Sequence, residues 1–277
     1  MARSLGEVAR VSLGLGRRAA GAAERLSRSS LAAAYPQNAR FKDLHLGRPA
    51  FVVGNGPSLA TQDLSALEGQ LLFTMNSFDR HPLCGLLRPR YHFLGDPEIK
   101  DSSPKQEAYL QRIAAGMEES VFFVPAEPLS DSPTLHRWHA DGRMFPVPMI
   151  GALAMEPVDV FDMCVGLPGV HTSAQLALMA AVFMGCEPIY LTGLDSDWAA
   201  SFDRDRHFYG ERELDESWDW AYEPILEETY YMFRGYRHLW DYCKGRGVHI
   251  YNCTAGGFLD VFPLKSLDEA IGEVRGK

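Results

Sequence analysis

A doubly wound α/β domain is the fold this sequence predicts, with a mainly parallel sheet, helices on both faces and a lid insert. Three features point to it. Short apolar runs such as Phe51–Val53 stop abruptly at glycine or at a small polar residue. Segments with apolar residues at helical spacing separate those runs. Strands that alternate with helices build a parallel sheet rather than a meander.

Taken in order, "AFVVGN" reads as a strand ended by Gly54, and "ATQDLSALEG" as a helix or part of one. "LLFTMN" and "YHFLGD" are the second and third strands. "SPKQEAYLQRIAAGME" is a helix that starts after Ser-Pro, and "SVFFVPA" is the next strand. "TSAQLALMAAVFMGC" is a helix opened by Thr172-Ser173 and closed near Gly185; it is apolar on nearly every face and therefore buried. "PIYLTGLD" is apolar enough to be a central strand. "YEPILEETYYMFRGYRHLWDYCKGRG" is a long helix, "VHIYNCT" a last strand and "SLDEAIGEVRGK" a closing helix. The regions around 125–168 and 195–222 read as inserts, the second dense in charges and aromatic residues, as lids and binding loops are.

The 277 residues are 46% hydrophobic and 23% charged, an ordinary balance with ample length for one core. No run of about 18 or more apolar residues suggests a membrane span. The five cysteines are scattered without a CxxC pair and read as reduced thiols of a cytoplasmic protein. The net charge of −9 is uneven: residues 1–30 carry six Arg against two Glu, and the rest 21 Lys and Arg against 34 Asp and Glu. An acidic body lacks the footprint of a nucleic-acid partner. The basic start, set off as an extension over 1–45, reads as a solvated helix packed on the body, as a helix on a membrane surface, or as a transit-type segment.

Ligands of open α/β sheets bind beyond the carboxyl ends of the strands. Four motifs sit at such ends: Gly54-Asn55-Gly56-Pro57-Ser58, Asn76-Ser77, Gly95-Asp96 and Gly193-Leu194-Asp195. The first reads as a phosphate-holding turn, with glycines letting backbone N–H groups approach an anion and Ser58 capping or donating. It is not a dinucleotide fingerprint, since Leu59 replaces the third glycine and the second strand ends in Asn76 rather than an acid. A GxxxxGK[ST] loop is absent too. Thr172 and Ser173 bring hydroxyls to a helix N-terminus, where they either cap it or hold an anion. Asp195 and Asp197 form a DxD pair of the kind that holds a divalent metal on a diphosphate. His207 and Glu211 are candidates for a general base, with Arg206 and Arg212 beside them.

"FVVGNGPSL", "TMNSF", "HTSAQLALMAAVFMGCEPIYLTGLD" and "HFYGE" resemble, in the same order, segments of the sialyltransferases of glycosyltransferase family 42. They are also similar to the motility-accessory-factor proteins that glycosylate flagellin, which "IYNCTAGGFLDVFP" resembles in particular. The resemblance covers roughly residues 48–265. It implies a Rossmann-like single domain over 46–277 with a mobile lid at about 196–222. It further implies a CMP-activated sugar donor, inversion at the anomeric carbon and no metal requirement. Asn55 and Asn76 would contact the nucleotide, Gly54, Gly56, Pro57 and Ser58 would shape the phosphate and ribose site, and Ser77, Gly193 and Asp195 would adjoin it. Thr172 and Ser173 would sit beside the sugar or the cytosine. The family's final catalytic His is replaced by Glu211, so the base role falls to Glu211 or to His207. Asp197 and Asp203 stand near the places of two tyrosines that help the departing phosphate, and Val170 stands for an arginine.

The expected function is transfer of a nonulosonic or sialic-type acid from its CMP donor to a surface glycan or a protein. Two alternatives remain open. One is a 6-hydroxymethylpterin pyrophosphokinase-like enzyme, using ATP with Mg²⁺ or Mn²⁺ on Asp195 and Asp197. The other is a nucleotide-binding partner subunit without activity. The protein is expected in the cytoplasm, free or peripheral at the inner face of the membrane, and whether it forms a homo-oligomer is left open.

Overall fold

The structure, a computed structural model, describes residues 35–95, 103–126, 131–157, 159–200, 207–210 and 222–276. The basic start at 1–30, Asp96, Asp203, Arg206, Glu211 and Arg212 lie outside the described residues.

Seven short strands form the main sheet: β1 (Ala50–Val53), β2 (Leu72–Met75), β3 (Tyr91–Phe93), β4 (Val121–Pro125), β5 (Met144–Val147), β8 (Ile189–Thr192) and β9 (Ile250–Asn252). Between β5 and β8, β6 (Met149–Ala152) and β7 (Leu167–Gly169) pair as a separate two-stranded ribbon. The order across the main sheet is β5-β4-β3-β2-β1-β8-β9, and every pairing in it is parallel. This is the doubly wound α/β architecture expected from the sequence. The chain winds outward from β1 in one direction as far as β5, then crosses back to β8. The switch point therefore lies between β1 and β8, where such sheets open a crevice.

Among the described residues, five helices of eight or more residues flank the sheet: α1 (Pro104–Gly116), α2 (Pro133–Ala140), α3 (Ser173–Phe183), α4 (Tyr222–Lys244) and α5 (Leu267–Arg275). Alternate strand residues face opposite sides. Val52, Phe73, Phe93 and Leu191 pack with α3 and with Met232, Tyr236, Leu239 and Cys243 of α4, whose spacing makes one helical stripe. Phe51, Leu72, Phe122 and Tyr190 pack with α1, α2 and α5 on the other face. Burial on both faces explains why the strands read as continuous apolar runs. The helix α3 is buried along nearly its whole length, as its composition predicts.

Three expectations are corrected. The segment after β1 forms only two short 3₁₀ turns, Pro57–Ala60 and Ser65–Leu67. There the Asp63 carboxylate accepts from the Ser65 N–H at 2.8 Å, a local bond that competes with helix. The region around 125–168 is not simply an insert, because it supplies α2 and the edge strand β5. Pro146 within β5 obscures that strand in the sequence and is tolerated because the strand is at the edge. The body also starts before residue 46: Phe41 is buried in the main core, within the turn Pro36–Phe41. The five cysteines are free thiols, four of them buried. None of the described helices is long and apolar enough to cross a membrane.

Asn38, fully buried, donates through Nδ2 to the carbonyls of Pro146 and Met163, both at 2.8 Å. It pins the start of the body to the β5 edge. Asn38→Ala leaves two buried carbonyls without a donor and is expected to cost about 2–4 kcal/mol. Urea unfolding should show a lower midpoint at unchanged slope; an unchanged midpoint would mean that water replaces the amide.

Candidate functional site

The crevice at the switch point is built from strand ends. Gly54, Asn55 and Gly56 follow β1, Met75 and Asn76 end β2, and Gly193 to Ser196 follow β8. His171, Thr172 and Ser173 at the start of α3 close one side, with Met232 and Tyr236 of α4 behind them. Trp198, His207 and Tyr209 form an aromatic wall opposite.

The floor is a contact between two turns. The Gly54 N–H donates to Thr192 O at 2.9 Å, and the Gly56 N–H to Gly193 O at 2.8 Å. Ser58 N–H donates to Asp195 Oδ1 at 3.0 Å, and its hydroxyl to Oδ2 at 2.8 Å. Only glycine fits here: a Cβ on Gly54 would stand 2.3 Å from Gly193 O, and one on Gly56 would stand 1.7 Å from Asp195 Oδ2. Three N–H groups expected to cradle a phosphate are therefore spent on the neighbouring turn. The glycines serve close backbone approach, and the Asp195 carboxylate fills the anion's place. Burial holds the Asp195 carboxyl above its usual range, against the two Ser58 hydrogen bonds that lower it. Asp195 is held from behind as well, its carbonyl accepting from Phe258 N–H at 2.7 Å in the "TAGGF" segment.

Each oxygen of Asp195 thus accepts one hydrogen bond from Ser58. Among the described residues no group of three His, Cys, Asp or Glu side chains converges to hold a metal ion. Ser77 also turns from the crevice, its hydroxyl accepting from Arg112 Nη2 at 3.2 Å. Pro57, Ser58, Ser77 and Asp197 do not line it; Gly54, Asn55, Gly56, Asn76, Thr172, Ser173, Gly193, Asp195 and His207 do. The last of these belongs to a segment docked over the β1 turn through Phe208 N–H to Asn55 O at 3.0 Å.

Two asparagines remain for recognition. Asn55 donates through Nδ2 to Met75 O at 2.9 Å, which leaves its buried Oδ1 without a hydrogen-bond partner. Asn76 takes a left-handed backbone (φ 48°), which asparagine tolerates, and its Oδ1 accepts from the Ser173 hydroxyl at 3.3 Å. Its carbonyl lies 2.9 Å from Nε2 of the fully buried His92, whose Nδ1 meets the Thr74 hydroxyl at 2.9 Å. A carbonyl only accepts, so Nε2 carries the hydrogen. Burial pushes the His92 imidazole down to about 3, despite the bond to Asn76. The sequence reading missed His92 because a histidine within a strand carries no motif. It missed His171, Trp198, Tyr209 and Tyr236 as lining residues for a similar reason: only the folded chain gathers them.

Among solved structures, the chain is similar to the sialyltransferase CstII from Campylobacter jejuni in complex with cytidine-5'-monophosphate, at 16% identity and a TM-score of 0.47, over 79% of this chain and 85% of that one. The same enzyme with the substrate analogue CMP-3FNeuAc aligns at 14% identity and a TM-score of 0.45, over 78% and 86%. A sialyltransferase CST-II structure with trisaccharide acceptor and CMP aligns at 16% and 0.45, over 78% and 86%. No family model and no curated protein matches the chain.

The His92 arrangement sets a pH dependence. Its folded pKa of about 3 lies below the ordinary 6.5. Above pH 6.5 both folded and unfolded chains hold the ring neutral, and its burial is fully tolerated. As pH falls from there, the unfolded chain takes a proton that the folded one refuses. Stability should fall by about 1.4 kcal/mol per pH unit from this group. Between pH 6 and 4, wild type should therefore lose stability more steeply than His92→Gln; parallel urea-derived curves would refute the assignment.

Proposed function

We propose that the protein is an inverting glycosyltransferase that takes its sugar from a nucleotide-activated donor. A CMP-activated nonulosonic or sialic-type acid is the best-fitting donor, and a hydroxyl of a surface glycan or protein the acceptor. One observation carries the reading: Asn55 and Asn76, from adjacent strand ends, both line the crevice into which the amino end of α3 opens, and Asn55 keeps an unpaired buried acceptor. An amide oxygen fixed in that way suits a donor group of a nucleoside, such as a ribose hydroxyl or a base amino group. The ordered motifs "GNGPSL", "TMNSF" and "HFYG" support it independently.

The residues divide the work. With the β1 turn closed by Asp195, the departing phosphate is best placed at the amino end of the 11-residue α3, beside the Thr172 and Ser173 hydroxyls. Trp198, His207 and Tyr209 supply flat faces for a base or a sugar; His207 and Tyr209 stack at 4.9 Å and 4°. In this reading residues 196–222 are the lid.

Calorimetric titration with CMP, CDP, UDP, GDP and ATP, each with Mg²⁺ and with EDTA, tests it. CMP is expected to bind at micromolar Kd, unaffected by EDTA. Asn55→Ala should weaken CMP by about tenfold or more, some 1.4 kcal/mol, with a cooperative thermal transition retained. Binding of ATP or a nucleoside diphosphate alone, abolished by EDTA, would overturn the reading in favour of a metal-dependent enzyme.

A further inference from the structure

A histidine outside the recognised motifs stands in the crevice with a carboxylate behind it. His171 precedes Thr172, the N-cap of α3, and lines the crevice. Its Nδ1 lies 2.8 Å from Glu228 Oε2 on α4. An ionised carboxylate only accepts, so Nδ1 holds the hydrogen and the neutral ring keeps its lone pair on Nε2. The ring stacks on Tyr231 at 5.3 Å and 21°. Its backbone N–H donates to Gln175 Oε1 at 3.1 Å, and Gln175 Nε2 donates to Met232 O at 2.7 Å. Glu228, Tyr231 and Met232 are spaced i, i+3 and i+4, so one face of α4 sets the tautomer and the ring plane of His171 and, through Gln175 of α3, anchors its backbone. A solvated ion pair would account for the 2.8 Å contact alone. It would not account for a ring whose side chain is 22% exposed, stacked, and set in the wall of the crevice beside Thr172.

We propose that His171 is the proton acceptor of the transfer reaction and that Glu228 positions it; this rests on the glycosyltransferase reading above. Nε2 takes the proton of the acceptor hydroxyl as that oxygen's electron pair forms the bond to the anomeric carbon. The bond from the anomeric carbon to the phosphate oxygen breaks, and its electron pair leaves with the phosphate of the nucleoside monophosphate. The imidazolium so formed faces the Glu228 carboxylate, which stabilises it until the proton passes to water. His207, stacked on Tyr209, then belongs to the aromatic wall and shapes the donor site.

The test uses the full chain, CMP-N-acetylneuraminic acid and other CMP-activated nonulosonic acids as donors, a glycoside acceptor, and CMP release as the signal. His171→Gln should lower kcat by about 10²–10⁴-fold, leave donor KM and calorimetric CMP binding within about twofold, and remove the acid limb of the pH–rate profile. Glu228→Gln keeps an acceptor for Nδ1–H but loses the charge, so it should fall between wild type and His171→Gln; Glu228→Ala should be slower still. His171→Gln that keeps wild-type kcat, or that loses rate only in proportion to CMP binding, overturns the assignment while the transferase reading stands. Should that variant fail to fold, Glu228→Gln with unchanged kcat and an unchanged profile overturns it instead. A wild-type chain that binds CMP yet turns over none of these donors overturns both.

Discussion

The contact between the β1 and β8 turns is the constraint on which the site depends. Two backbone hydrogen bonds and a carboxylate–serine pair close it, and the glycines exist because any Cβ would strike the opposite turn. Such a closed floor does two things. It makes the switch point rigid, since β1 and β8 are both buried strands in mid-sheet with β2 and β9 beyond them. It also engages the N–H groups of Gly54, Gly56 and Ser58. Among the described residues, α3 is a helix of 11 residues whose amino end opens into the crevice.

The same logic runs one strand further. Asn76 is useful only in its left-handed conformation, which presents Oδ1 to Ser173. That conformation costs a fraction of the energy for asparagine that it would for a branched residue. His92 holds it there from below by taking up the Asn76 carbonyl, and Thr74 satisfies the other ring nitrogen. A buried, fully bonded imidazole is a rigid strut as long as it stays neutral. Asn76 thus stands at the edge of the crevice on a buried polar layer made by His92 and Thr74.

How much of this was legible in the sequence follows from the range of the interactions. Strand ends with glycine, apolar runs and N-caps are local, and "AFVVGN", "LLFTMN" and "PIYLTGLD" matched β1, β2 and β8. "ATQDLSALEG" has helical composition, yet Asp63 diverts it into 3₁₀ turns by a bond two residues long. The β5 edge was hidden by Pro146, a residue that argues against a strand except at an edge. Ser58 and Asp195 both belonged to recognised motifs, but their mutual bond spans 137 residues, a range over which no motif joins them. His171 and Glu228 are 57 residues apart, and neither carries a spacing pattern that would join them.

Gly235 shows how the two halves of the crevice are coupled. It lies in the middle of α4, where glycine costs about 1 kcal/mol relative to alanine. A Cβ there would stand 2.5 Å from Gln175 Nε2. Gln175 is fully buried and links Met232 O on α4 to the His171 N–H before α3. With alanine at 235 the amide would be pushed off Met232, and the His171 backbone would lose its anchor. The penalty in helix propensity is offset by a buried amide with both ends bonded, since an unsatisfied buried amide costs at least as much. The helix that carries Glu228 and Tyr231 is therefore seated against the start of α3 by a contact outside the crevice. The position of His171 over the strand-end floor is fixed by packing deep in the core rather than by the His171–Glu228 hydrogen bond alone.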